Sequence, residues 1–189
     1  MEVELSAEAK DKRLNQMVAV TVVLLSICTG LANIKDGNLV QAMSQAKADA
    51  VDTWGEYQAT RTKLHIAETS RSEIAVLAAA NPASAAAARD SLAALDSDIA
   101  KYRAETPRLA ARARGFEQQY DAINVHDDQF DASEALIATA ISMAAVAALA
   151  ESLPLLAAAW ICGGIGIFFV VCGFAKLAFH PSVLSNFLG

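Results

Sequence analysis

The sequence predicts an all-α integral membrane protein: three transmembrane helices, with a long antiparallel helical (coiled-coil) hairpin between the first and the second. Three observations predict it. Two blocks of the chain are apolar enough to cross a bilayer. The stretch between them is rich in Ala and charged residues and nearly free of helix breakers. Its second half repeats seam residues at alternating spacings of three and four. Of the 189 residues, 54% are hydrophobic and only 19% charged, which is too apolar for an ordinary soluble domain. The formal charge of −6 leaves no basic footprint, so nucleic acid is not an expected partner.

Residues 1–13 form a polar N-terminal segment. The first transmembrane helix spans about 14–32, where MVAVTVVLLSICTGLA runs from Met17 to Ala32. An uncharged run of about 19 residues crosses a ~30 Å hydrocarbon core. Lys10, Lys12 and Arg13 precede it and Lys35 follows. The length points to a retained signal anchor rather than a cleaved signal peptide. Ile27 before Cys28 is too bulky for lipoprotein cleavage. The second and third helices, about 134–150 and 154–178, make a transmembrane hairpin over 134–178. Its turn falls near Glu151 to Pro154, with Pro154 in the first turn of the new helix, where a missing N–H costs nothing. Residues 179–189 are a tail. Gly163, Gly164, Gly166 and Gly173 suit a helix–helix contact surface in lipid better than a pore hinge. No ionisable residue lies deep in any span, which argues against a pump or ion-coupled transporter. A pore lined by small residues and hydroxyls such as Thr139 and Ser142 stays open.

The polar part, 33–133, turns at a tip near Asn81-Pro82, where Asn81 caps and Pro82 opens a new helix. On the second arm Leu92, Leu95, Ile99, Tyr102, Thr106, Leu109, Ala113, Phe116, Tyr120, Ile123, Asp127 and Phe130 follow a heptad seam. A weaker seam on the first arm uses Val40, Met43, Lys47, Ala50, Trp54, Tyr57, Arg61 and Leu64. Folding back at the tip sets Trp54 near Leu109, Tyr57 near Thr106 and Arg61 near Tyr102. Pro107 is expected to kink or interrupt its helix, with the two aromatics filling the gap.

Candidates for chemistry are sparse. His126, Asp127, Asp128 and Asp131 precede the second span. Three carboxylates and an imidazole are weak candidates for a divalent cation, and an acidic collar is the simpler reading, with Asp131 capping the helix and Glu134 completing a capping box. Cys28, Cys162 and Cys172 all lie in apolar stretches and read as packing residues. There is no nucleophile elbow and no phosphate-binding glycine loop after a strand. No enzyme and no cofactor are expected. Residues expected to carry contacts are Trp54, Tyr57, Arg61, Tyr102, Leu109, Phe116, Tyr120, Gly163 and Gly166.

The stretch Asp52-Thr53-Trp54-Gly55-Glu56-Tyr57-Gln58-Ala59 resembles a bacterial membrane-protein family known as domain of unknown function 4337. Phe116-Glu117-Gln118-Gln119-Tyr120-Asp121, with Phe130-Asp131-Ala132-Ser133-Glu134 leading into the last hairpin, is the second match. The resemblance covers most of the chain from about Leu14. It implies the same layout and adds no activity. The chain departs from it at Thr60, where a lysine is expected, and at Pro107.

The expected function is that of a non-enzymatic oligomeric membrane scaffold or interaction protein, whose hairpin mediates protein–protein contacts. A small oligomeric channel lined by the second or third transmembrane helix is one alternative. An accessory subunit of a larger bioenergetic or transport complex is another. Expected partners are further copies or a membrane complex, and lipids. The charges before the first span favour a cytoplasmic N-terminus and a periplasmic hairpin in a bacterial inner membrane.

Overall fold

A computed structural model of the protein describes residues 2–177 and 179, apart from the side chains of 2–11 and 82–84. Every described element is helical. Helix α1 spans Glu2–Ala80, α2 Pro82–Leu149 and α3 Leu153–Phe174. The break at Asn81 and the turn before Pro154 fall where the sequence places them. Helix α1 runs on through 32/33 and α2 through 133/134, because nothing there stops a helix. Gly37 and Gly55 sit inside α1, and Gly115 and Pro107 inside α2. The polar segment 1–13 is likewise helical over its described residues. Asp131 therefore caps nothing: it lies mid-helix, where no backbone N–H is orphaned. The third helix stops at Phe174 rather than 178.

The C-terminal ends of α2 and α3 close in the same way. Ser152 N–H donates to Ala147 O at 3.0 Å, around Glu151 at φ 49°. Leu177 N–H donates to Cys172 O at 3.0 Å and Lys176 N–H to Gly173 O at 3.4 Å, around Lys176 at φ 52°. These are six-to-one closures with a left-handed residue at the turn, a position that usually holds glycine. Pro154 then sits in the first turn of α3.

The chain divides into two compact units. The first combines Met1–Met43 with Asp121–Gly189. Its core mixes small side chains with larger ones, among them Phe130 and Phe169. Ala140, Ala144, Ala147 and Ala159 are fully buried, beside Leu14, Val18, Leu25, Ile137 and Leu156. Many other large apolar residues are exposed: Val23, Ile27 and Leu31 on α1, and Ile161, Phe168 and Val171 on α3. Alanine-lined contacts beneath a surface of exposed large apolar side chains suit helices surrounded by lipid. Three helices are long and apolar enough to cross a membrane.

The second unit is Ser44–Tyr120. Here α1 meets α2 with residue numbers rising on one as they fall on the other. Trp54 Nε1 donates to Glu117 Oε1 at 2.9 Å, Arg103 pairs with Glu68 at 2.6 Å, and Arg71 pairs with Asp96. The seam expected on α2 is buried or half-buried at every position from Leu92 to Phe130. On α1 half of the expected seam is shifted by one residue. Met43, Ala50, Tyr57 and Leu64 face inward as expected, but Val40, Lys47 and Arg61 are exposed. The other row is Ala46, Thr53, Thr60 and Ala67, all buried. Small side chains there let α1 approach the larger seam residues of α2, such as Ile99 and Leu109.

Candidate functional site

In the second unit, Trp54 and Tyr57 form an edge-to-face pair with ring centroids 5.2 Å apart, a favourable aromatic geometry. Arg61 lies over the Tyr57 ring at 5.8 Å, and Lys101 and Arg112 lie at similar distances over Tyr102 and Phe116. Leu109 is buried, while Tyr102, Phe116 and Tyr120 are half-buried. Trp54 reaches Glu117, two helical turns beyond the expected Leu109. Side chains lean toward the N-terminus of their own helix. In an antiparallel pair these leans carry side-chain partners to higher residue numbers on both helices. Pro107 neither interrupts α2 nor faces the aromatics, because it is exposed. Thr60 fills a buried seam position, so the lysine expected there would have to bury its stem.

Three of the four glycines of α3 are contact positions. A Cβ on Gly163 would meet Leu25 at 3.1 Å, on Gly166 Ile137 at 2.7 Å, and on Gly173 the Phe130 ring at 2.7 Å. Gly164 has nothing within 4 Å. Thr139 and Ser142 donate to their own helix at Ala135 O and Ala138 O.

The carboxylates Asp127, Asp128 and Asp131 do not converge. Adjacent residues on one helix point about 100° apart, and among the described residues no group of three His, Cys, Asp or Glu is placed to hold a metal ion. Asp127 instead pairs with Asp36 of α1, which the sequence reading passed over. One oxygen of each is buried without a hydrogen-bond partner. Burial, then the charges of Asp36 and Asp131, push Asp127 up to about 6. Burial and then Asp131 push Asp36 up as well. The contact between the two carboxyls raises Asp127 further and lowers Asp36. Asp127 can therefore hold a proton at mildly acidic pH.

Gln129 was also missed. It is fully buried, and its amide nitrogen donates to Leu177 O at 2.8 Å and Phe179 O at 2.5 Å. Its oxygen faces His126 Nδ1 at 3.2 Å. A lone glutamine between polar residues gives no sequence signal for such a role; only the fold brings the C-terminal end of α3 to it. Trp160 Nε1 donating to Thr21 Oγ1 at 2.8 Å is equally invisible in sequence.

No curated protein and no solved structure matches the chain. A family model described as domain of unknown function (DUF4337) matches residues 14–176. That span holds α3, most of α1, all of α2, the aromatic pair, the carboxyl pair and the packed glycines, and the chain belongs to the DUF4337 family.

Proposed function

We propose that the protein is a non-enzymatic, multi-pass membrane scaffold that acts as a homo-oligomer. The three apolar segments are its anchor, and α1 and α2 fold between them into an antiparallel coiled-coil hairpin that makes protein contacts. One observation carries this reading. The first unit packs its helices through alanines and glycines while leaving many large apolar side chains exposed, and the second pairs its arms through a continuous seam. Such a design provides anchorage and a long surface for contacts. The tight fit of Gly163, Gly166 and Gly173 against Leu25, Ile137 and Phe130 supports a packed anchor over a pore within one chain. The basic residues before the first span support a cytoplasmic N-terminus and a periplasmic hairpin in a bacterial inner membrane.

The test has two parts. Alkaline carbonate should leave the protein in the membrane pellet. Subunit counting in mild detergent should then give a defined multimer. Release by carbonate sinks the anchor, and a monomer at every concentration sinks the scaffold.

A further inference from the structure

Helix α1 carries a second seam in the second unit, on the side away from α2. Starting at Ser44 and stepping four, three, four, three to Ala79, every position is exposed and none is Asp, Glu, Lys or Arg. Val51, Gly55, Thr62, Thr69 and Val76 belong to it, and Ile66 lies along its edge. Nine charged residues lie between Ser44 and Ala80, and all of them avoid this stripe. The outermost positions of a solvated two-helix pair normally carry charge.

The stripe also holds large apolar groups. Val51, Ile66, Val76 and Leu77 are 61–67% exposed. They are the exposed large hydrophobic residues of the second unit among the described residues, and all four are on α1. Gly55 has nothing within 4 Å of where its Cβ would stand. Glycine weakens a helix interior, and no contact within the chain uses the space it leaves.

We infer that this face of α1, between Ser44 and Ala80, docks in parallel and in register on the same face of a second copy. The inference rests on the membrane reading above, since copies inserted alike in one bilayer present α1 in the same direction. Charge supports the same occupant. In a parallel heptad pair, a residue just before one seam position faces the residue five further on in the partner. That sets Lys47 against Asp52 of the second copy, twice by symmetry. Neither forms an ion pair among the described residues of its own chain. The like-charged pair this register creates, Glu68 against Glu73, is relieved because Glu68 is already held by Arg103 at 2.6 Å. A helix face of 36 residues is about 54 Å long and about 10 Å wide. Two such faces bury about 1,000 Å², the lower bound for a specific interface.

The experiment is oxidative cross-linking of the full chain in lipid nanodiscs or mild detergent. Thr62→Cys places a thiol on the stripe, and Ala104→Cys places one on the exposed side of α2. The wild type, with its three cysteines in the membrane helices, is the background. Thr62→Cys should give a cross-linked dimer and Ala104→Cys should not. Asp52→Lys should lower the dimer fraction about five-fold, a typical effect of lost exposed pairs, and Lys47→Asp added to Asp52→Lys should restore it. Lys47 and Asp52 are too far apart on one helix to pair within a chain, so rescue reports the partner copy. Equal cross-linking at Ala104→Cys, or no rescue, overturns the inference. So does a Thr62→Cys thiol shielded from water-soluble maleimide without cross-linking, which would mean the face lies on lipid. An oligomer that never cross-links at Thr62→Cys removes this face and leaves the scaffold reading standing, whereas a monomer removes both.

Discussion

At the scale of single residues, the glycines of α3 divide by what surrounds them. Gly166→Ala drives a methyl into Ile137 and toward Ser133 O at 3.2 Å. Because backbone limits the escape, the cost should be about 1–3 kcal/mol of unfolding free energy in detergent. Gly164→Ala meets nothing within 4 Å and should gain about 0.5–1 kcal/mol from reduced chain entropy. If thermal melts of the two variants move together, the packing described here is wrong. Asp127 makes a different prediction. Its folded pKa, about 6, lies above the ordinary value of 3.8, so the folded state holds more protons between those limits. Stability should therefore fall as pH rises through that window. Asp127→Asn should flatten the fall and gain up to about 1 kcal/mol at pH 7, the screened value for a partly exposed group. Melting temperature against pH, for both proteins, checks it.

At the scale of helices, the seam on α1 can be tested at adjacent positions. Ala46 is buried and Lys47 exposed. Ala46→Asp should cost about 2 kcal/mol or more through burial of a charge, while Lys47→Ala should stay within about 0.5 kcal/mol in the isolated chain. The expected seam had the reverse preference, and its error has a physical source. Periodicity was read from large side chains, so Trp54 and Arg61 outweighed Thr53 and Thr60, although the small residues are the ones that let the helices close. On α2, where Leu, Ile, Tyr and Phe fill the seam, the same reading placed every position correctly. The helix ends show a similar division. Asn81 and Pro154 were legible because they change the backbone's options. The expected membrane boundaries at 32/33 and 133/134 rest on a change in polarity alone, and polarity does not stop a helix, so α1 and α2 run on through them. Glu151 occupies a left-handed turn that glycine fits better. Glu151→Gly should raise unfolding free energy by about 1 kcal/mol, read by thermal melts.

At the scale of the whole molecule, almost nothing local marks the carboxyl pair or the Gln129 contact. Asp36 meets Asp127, and Gln129 meets Leu177, only after distant stretches of chain have come together. The family match to residues 14–176 covers these residues, but the match carries no contact information. That three described helices are apolar enough to cross a membrane was legible as composition; which side chains they turn inward was not, because buried and exposed apolar residues alternate along the same helices.

The break at Asn81 has a kinetic consequence. The pairs of the second unit are separated by 25 residues at Arg71–Asp96, 35 at Glu68–Arg103 and 63 at Trp54–Glu117. Loop-closure entropy grows with separation, so the contacts nearest Asn81 close at least cost and each makes the next shorter to reach. The arms should zip from that end. Arg71→Ala should then mainly slow refolding, and Trp54→Ala should mainly hasten unfolding, in stopped-flow measurements. Equal effects on both rates would mean that the arms meet along their length at once.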